Sequence, residues 1–112
     1  MTLTIQNIQE AEEAIKTNDI VLFMKGTKDM PGCGFSAHVV QILNKMNVKY
    51  IDIDVLNDDN FKNNMKNFSN WPTFPQLYVK GEFVGGCDIV KEMFESGELL
   101  ELFNTKNINV KI

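Results

Sequence analysis

Arginine is absent from this chain of 112 residues, and all 11 basic positions are lysine. Any anion site must therefore be built from ammonium groups and backbone amides, without the bidentate guanidinium fork. The net charge of −4 argues against nucleic acid or an anionic membrane as the main partner, since both need a basic patch. No apolar run approaches the ~20 residues of a membrane-spanning helix. The start, "MTLTIQNIQEAEEAI", is acidic and lacks a basic stretch followed by an apolar one, so it reads as neither signal nor transit peptide. Cysteine is scarce too. Cys33 and Cys87 make no disulfide framework, and a domain of this length does not need one to fold. Their use reads as thiol chemistry in a reducing compartment. The expected location is the cytoplasm, or an organellar matrix if a transit segment has been removed.

No repeat, low-complexity block or Pro/Gly-rich linker divides the chain, which reads as one domain over 1–104 with a disordered tail over 105–112. Ile5, Ile8, Ala11 and Ile15 recur at helical spacing. "IVLFM" at 20–24 is a continuous apolar run of the length and β-branching that suits a strand buried on both faces. The spacing predicts a helix over 34–47 with Phe35, Val39, Ile42, Leu43 and Met46 on one side. Over 48–55, Ile51, Ile53 and Val55 alternate with Asp52 and Asp54, as in a half-exposed strand. A short helix over 58–68 carries Phe61, Met65 and Phe68. "QLYV" and "EFV" flank Lys80-Gly81, a hairpin signal. Asp88 is the expected N-cap of the next helix, Gly97 ends it, and a last helix covers 98–104. The order α-β-α-β-α-β-β-α-α implies an α/β fold: a right-handed parallel crossover, then an antiparallel hairpin. The expected result is a four-stranded mixed sheet with helices on both faces.

The chemistry centres on Cys33. A thiol reacts, or binds metal, as the thiolate. Cys33 falls at a helix start, where unpaired N–H groups favour negative charge. Gly32 and Gly34 leave the backbone free to aim those groups at the sulfur, and Lys25 at the end of the apolar strand brings a cation near. The position three residues on holds Ser36, so a Cys-x-x-Cys disulfide cannot close. The second sulfur must come from a small thiol, another subunit or Cys87.

Lys25, Cys33-Gly34-Phe35-Ser36, Trp71-Pro72-Thr73-Phe74-Pro75-Gln76 and Gly85-Gly86-Cys87-Asp88 resemble, in this order, the monothiol glutaredoxins of the C-G-F-S type. The long loop between Lys25 and Cys33 resembles that class as well. The resemblance implies a thioredoxin-like fold, glutathione binding, and a [2Fe-2S] cluster bridging a homodimer. Such a cluster takes four thiolates; Cys33 and one glutathione thiol per protomer, doubled, supply them. Carried over from the family, Lys25 faces the glycine-end carboxylate of glutathione. Thr73 and Phe74 present their backbone to its cysteinyl part, with Pro75 cis. The Gly85–Asp88 turn holds the γ-glutamyl end, its carboxylate on the helix amides around Cys87 and its amino group on Asp88. Lys62 stands where the family usually has arginine. It keeps the charge and loses the fork. Cys87 reads first as a semi-buried core residue and second as a resolving thiol. The resemblance also implies a BolA-like partner and apo iron–sulfur clients.

Other readings fall away on spacing. "GCGFSA" fits G-x-G-x-x-A with Asp54 downstream, but a dinucleotide turn follows its strand directly, and here seven residues separate Met24 from Gly32. His38 lies about 140° round the helix from Cys33, so it reads as a surface residue without a metal or base role. Two function classes remain open beside a thiol-independent interaction module. One is a cluster carrier; the other is a glutathione-dependent oxidoreductase, at most a weak enzyme, that clears mixed disulfides through Cys33.

Overall fold

The computed structural model describes residues 2–3 and 5–111. Its centre is β2 (Ile20–Met24), all five residues of which are buried. Ile20, Leu22 and Met24 enter one apolar core, Val21 and Phe23 the other. The unbroken apolar run thus marks a strand covered on both faces. Parallel to β2 runs β3 (Ile51–Asp54), with Val21 opposite Ile51 and Met24 opposite Asp54. Antiparallel to it runs β4 (Gln76–Val79), which pairs in turn with β5 (Glu82–Gly85). Lys80 and Gly81 join the two with positive φ of 50° and 84°, the handedness that matches strand twist in a two-residue hairpin.

These strands form the four-stranded mixed sheet that the sequence implies. A two-residue strand, β1 (Thr2–Leu3), is added parallel to β3 at its open edge, giving the order β1-β3-β2-β4-β5. Two residues carry no periodicity, so no sequence pattern announces β1. The helix α1 (Ile8–Thr17) begins later than the apolar spacing suggests, because Asn7 caps it by accepting the Glu10 N–H at 2.9 Å.

The two cores lie on opposite faces of the sheet. Helices α2 (Gly34–Met46), α4 (Cys87–Ser96) and α5 (Glu98–Thr105) pack on the face of Leu22 and Leu77. Helices α1 and α3 (Asp59–Ser69) pack on the face of Phe23 and Tyr78. A fully buried aromatic such as Phe61 is worth about 3–5 kcal/mol against alanine.

Several expectations are corrected. Phe35 is not core but 65% exposed, and Phe68 is 41% exposed against the Tyr78 ring. Each sits at a helix end, Phe35 in the first turn of α2 and Phe68 in the last turn of α3, where the sheet covers it incompletely or not at all. Asp52 is not solvent-facing: it is fully buried and accepts the Lys28 N–H at 2.8 Å. The described residues of the expected tail, which leave out Ile112, run against the larger core. After α5, Ile108 is buried, its N–H donates to Phe103 at 2.8 Å, and the Lys111 N–H donates to Met46 at 3.2 Å. A single isoleucine between asparagines gives no period to read, yet it closes the end of the larger core. Ile108→Ala is expected to cost about 2 kcal/mol, read as a lowered midpoint in thermal unfolding.

Candidate functional site

Cys33 is the N-cap of α2, extended at φ −157° and ψ 159°. Its sulfur takes the place that a serine or aspartate oxygen fills at other helix starts, accepting the Ser36 N–H at 3.4 Å. The Ser36 hydroxyl lies 3.4 Å from the same sulfur. That hydroxyl is fully buried and already accepts the Lys25 N–H at 3.1 Å. In the thiol form Cys33 donates to that hydroxyl; once the sulfur is ionised only the hydroxyl can donate, and its proton then turns to the thiolate. Burial alone would raise the thiol pKa. The Ser36 hydroxyl, the Ser36 and Phe35 amides and the Lys25 ammonium together outweigh it, and the pKa falls below the ordinary cysteine value. Serine three residues on thus serves the sulfur as donor rather than as partner.

Ser36→Ala tests this relay. The mutant retains the amide contacts but loses the hydroxyl donor, so the pH midpoint for Cys33 alkylation moves up. At neutral pH the rate is expected to fall by about threefold to tenfold, the worth of one hydrogen bond. An unchanged midpoint would reduce Ser36 to a space-filling residue.

A groove of about 480 Å³ opens beside the thiol, lined by Lys25, Phe35, Trp71, Thr73, Phe74, Gly86, Cys87, Asp88 and Ile89. One wall is the loop before β4, where the Phe74–Pro75 bond is cis as expected. The buried Gln76 fixes that loop by donating to the carbonyls of Trp71 at 3.3 Å and Thr73 at 3.2 Å. The opposite wall is the start of α4. Its N-cap is Gly86, not Asp88, and no side chain caps the helix. A Cβ on Gly86 would meet Trp71 Nε1 at 3.0 Å and the Pro75 carbonyl at 3.3 Å. Glycine lets the two walls meet closely, and the first α4 amides stay free of a side-chain cap, beside the groove. An uncapped helix N-terminus beside a lysine is a ready carboxylate cradle.

Of the residues singled out from sequence, Lys25, Thr73, Phe74, Cys87 and Asp88 line this groove. Cys33 stands next to it, flanked by its lining neighbour Phe35. Lys62 is part-exposed on α3, outside the lining. The two thiols differ in kind. Burial and the neighbouring Asp88 carboxylate push the Cys87 thiol up, whereas Cys33 is pulled down. His38 is half-buried on α2, also outside the lining. Sequence reasoning missed Phe35 and Ile89 as groove residues, because both fit an apolar helical stripe. Trp71 entered the sequence reading as part of the Trp71–Gln76 motif, without a place in the groove.

Comparison with known proteins agrees with this geometry. The family described as Glutaredoxin matches residues 20–84. A "Probable monothiol glutaredoxin 2" of Rickettsia typhi is 54% identical over 106 residues, 95% of this chain and 96% of that one. Among solved structures, a monomeric truncated mutant of Trypanosoma brucei 1-C-Grx1 superposes with a TM-score of 0.88 at 36% identity, covering 96% of this chain and 98% of that one. Reduced poplar apo GrxS14 gives 0.77 at 46% identity, over 87% and 89% of the two chains. With its lone activated thiol, Ser36 in place of a second cysteine, and these likenesses along nearly its whole length, the chain belongs to the glutaredoxin family, among its monothiol members.

Proposed function

We propose that this chain binds glutathione in the groove beside Cys33, and that two copies share a [2Fe-2S] cluster as cargo for apo iron–sulfur proteins. Each copy contributes Cys33 and one glutathione thiol, and a BolA-like protein can take the place of the second copy. The observation that carries the reading is the single depressed thiol next to an anion-ready groove. A cluster needs four thiolates, and Cys33, exposed to the helix amides at the start of α2, offers one whose ionised form its neighbours favour. Cys87 lies at the start of α4, its thiol pushed up by burial and by the Asp88 carboxylate. Glutathione has two carboxylates and an amide backbone. Lys25 and the free α4 amides suit the carboxylates, the Thr73–Phe74 backbone suits the peptide part, and Asp88 suits the amino group. Lys62 supplies a further cation on a flexible stem. The cluster supplies the iron–sulfide core that clients require; the chain's own residues hold the tripeptide and favour the thiolate form of Cys33.

The same groove favours a second reading, in which the Cys33 thiolate attacks the glutathione sulfur of a mixed disulfide and releases the protein thiol. A second glutathione thiolate then attacks the glutathione sulfur now bonded to Cys33, and glutathione disulfide leaves as the Cys33 thiolate is restored. Anaerobic incubation with ferrous iron, sulfide and glutathione separates the two. The carrier reading expects a coloured dimer that does not form when glutathione is omitted. Rapid removal of glutathione from mixed disulfides, with no cluster formed under any condition, would overturn it in favour of the enzyme.

A further inference from the structure

The loop from Gly26 to Gly32 is folded back on itself. The Gly32 N–H donates to the Lys25 carbonyl at 2.7 Å, Thr27 and Met30 exchange backbone hydrogen bonds at 3.2 and 3.1 Å, and Gly26 pairs with Pro31. Lys25 and Cys33 stand on either side of its neck. Two carboxylates reach the loop from β3, two residues apart and hence on one side of the strand. Asp52 Oδ2 accepts the Lys28 N–H at 2.8 Å, and the Lys28 ammonium returns to the Tyr50 carbonyl at 3.1 Å. Asp54 Oδ1 accepts two amides at once, Gly26 at 3.0 Å and Leu56 at 2.8 Å. The second of these bends the chain after β3 so that Leu56 lies beneath the loop's end. A Cβ on Gly32, the residue before Cys33, would sit 3.1 Å from Leu56 Cδ1.

We propose that Asp54 is a positioning residue for Cys33. One carboxylate oxygen fixes the start of the loop through Gly26 and its end through Leu56, and so sets where the Lys25 amide and the Cys33 sulfur stand relative to Ser36. Asp54 touches neither sulfur nor groove and acts only through the loop. The inference rests on the reading that Cys33 is the working thiol, but not on the cluster. The geometry makes the oxygen's position decisive rather than its charge. Asparagine retains an Oδ1 in the same place and still accepts both amides, at the cost of the charge. Glutamate retains the charge and carries the oxygen one methylene too far.

The test uses full-length Asp54→Asn, Asp54→Glu and Asp54→Ala, each in a Cys87→Ser background so that Cys33 alone reports. Thiolate fraction is read from ultraviolet absorbance and Cys33 reactivity from iodoacetamide alkylation at neutral pH, with thermal midpoints recorded alongside. The expected order is wild type and Asn within about twofold, and Glu and Ala slower by roughly threefold to tenfold, one hydrogen bond's worth. Rescue by Asn but not by Glu supports positioning. Should Ala not fold, the contrast of Asn with Glu still decides. Glu at the wild-type rate, or Asn as slow as Glu, would overturn the proposal. Neither outcome depends on glutathione or iron, so failure of wild-type cluster uptake would strike the functional reading alone.

Discussion

Serine in place of Cys33 is expected to abolish cluster uptake entirely, while serine in place of Cys87 preserves it. The contrast follows from where each sulfur sits. Cys33 caps a helix and takes a hydroxyl, two amides and an ammonium in its favour. A serine there keeps the cap, so Cys33→Ser should fold normally. It cannot supply a thiolate, and among the described residues no group of three or more His, Cys, Asp or Glu could hold a metal ion instead. Cys87 lines the groove at the start of α4, where the proposed function uses its backbone amide and not its sulfur. Serine leaves that amide in place. Absorbance and size-exclusion of the two reconstituted mutants check the pair, and cluster uptake by Cys33→Ser would refute the assignment.

The second large effect is at Gly26. A Cβ there would lie 2.5 Å from the Gly32 nitrogen and 2.5 Å from the Met30 carbonyl oxygen, both backbone atoms, at φ +86°. Neither atom can move without opening the loop, and the backbone conformation itself disfavours a side chain. Gly26→Ala is expected to cost about 3 kcal/mol or more, combining left-handed strain with the clash. Because the loop's neck joins Lys25 to Gly32, Cys33 alkylation should slow as well. Gly34→Ala is the matched control. It lies one residue past the thiol, with nothing within 4 Å of its Cβ position, and alanine at a helix start should change stability by less than about 1 kcal/mol. Thermal unfolding of both mutants settles the comparison; equal midpoints would show that the loop is not closed as described.

How far the sequence speaks depends on the range of the physics involved. Local signals were legible. The apolar run 20–24 marked the central strand, Lys80-Gly81 the hairpin, and Cys33 between glycines a helix cap with an activated thiol. Each depends on neighbours a few residues away. Phe35 and Phe68 misled, because a helical stripe says which residues share a face and not where the sheet ends beneath it. Asp52 and Asp54 read as the solvent side of a strand. Their partners lie 24 and 28 residues away in sequence at Lys28 and Gly26, and no pattern within β3 points to them. Gly86 is similar. Helix α4 starts at Cys87 with Gly86 as cap, and a Cβ at Gly86 would meet the Trp71 ring from a distant loop; neither shows in the local pattern, so Asp88, the better local cap, was the natural and mistaken choice. Ile108 needed the whole larger core to be assembled before its place was apparent.

The central claim is that a chain with one suitable sulfur borrows the remainder of its ligand set from a tripeptide and a second copy of itself. Native mass spectrometry of the anaerobically reconstituted protein tests this most directly, because it counts the components. The account predicts one species: two chains, two glutathiones and one [2Fe-2S] unit. A cluster-bearing dimer without glutathione, with both cysteines of each chain as ligands, would contradict it.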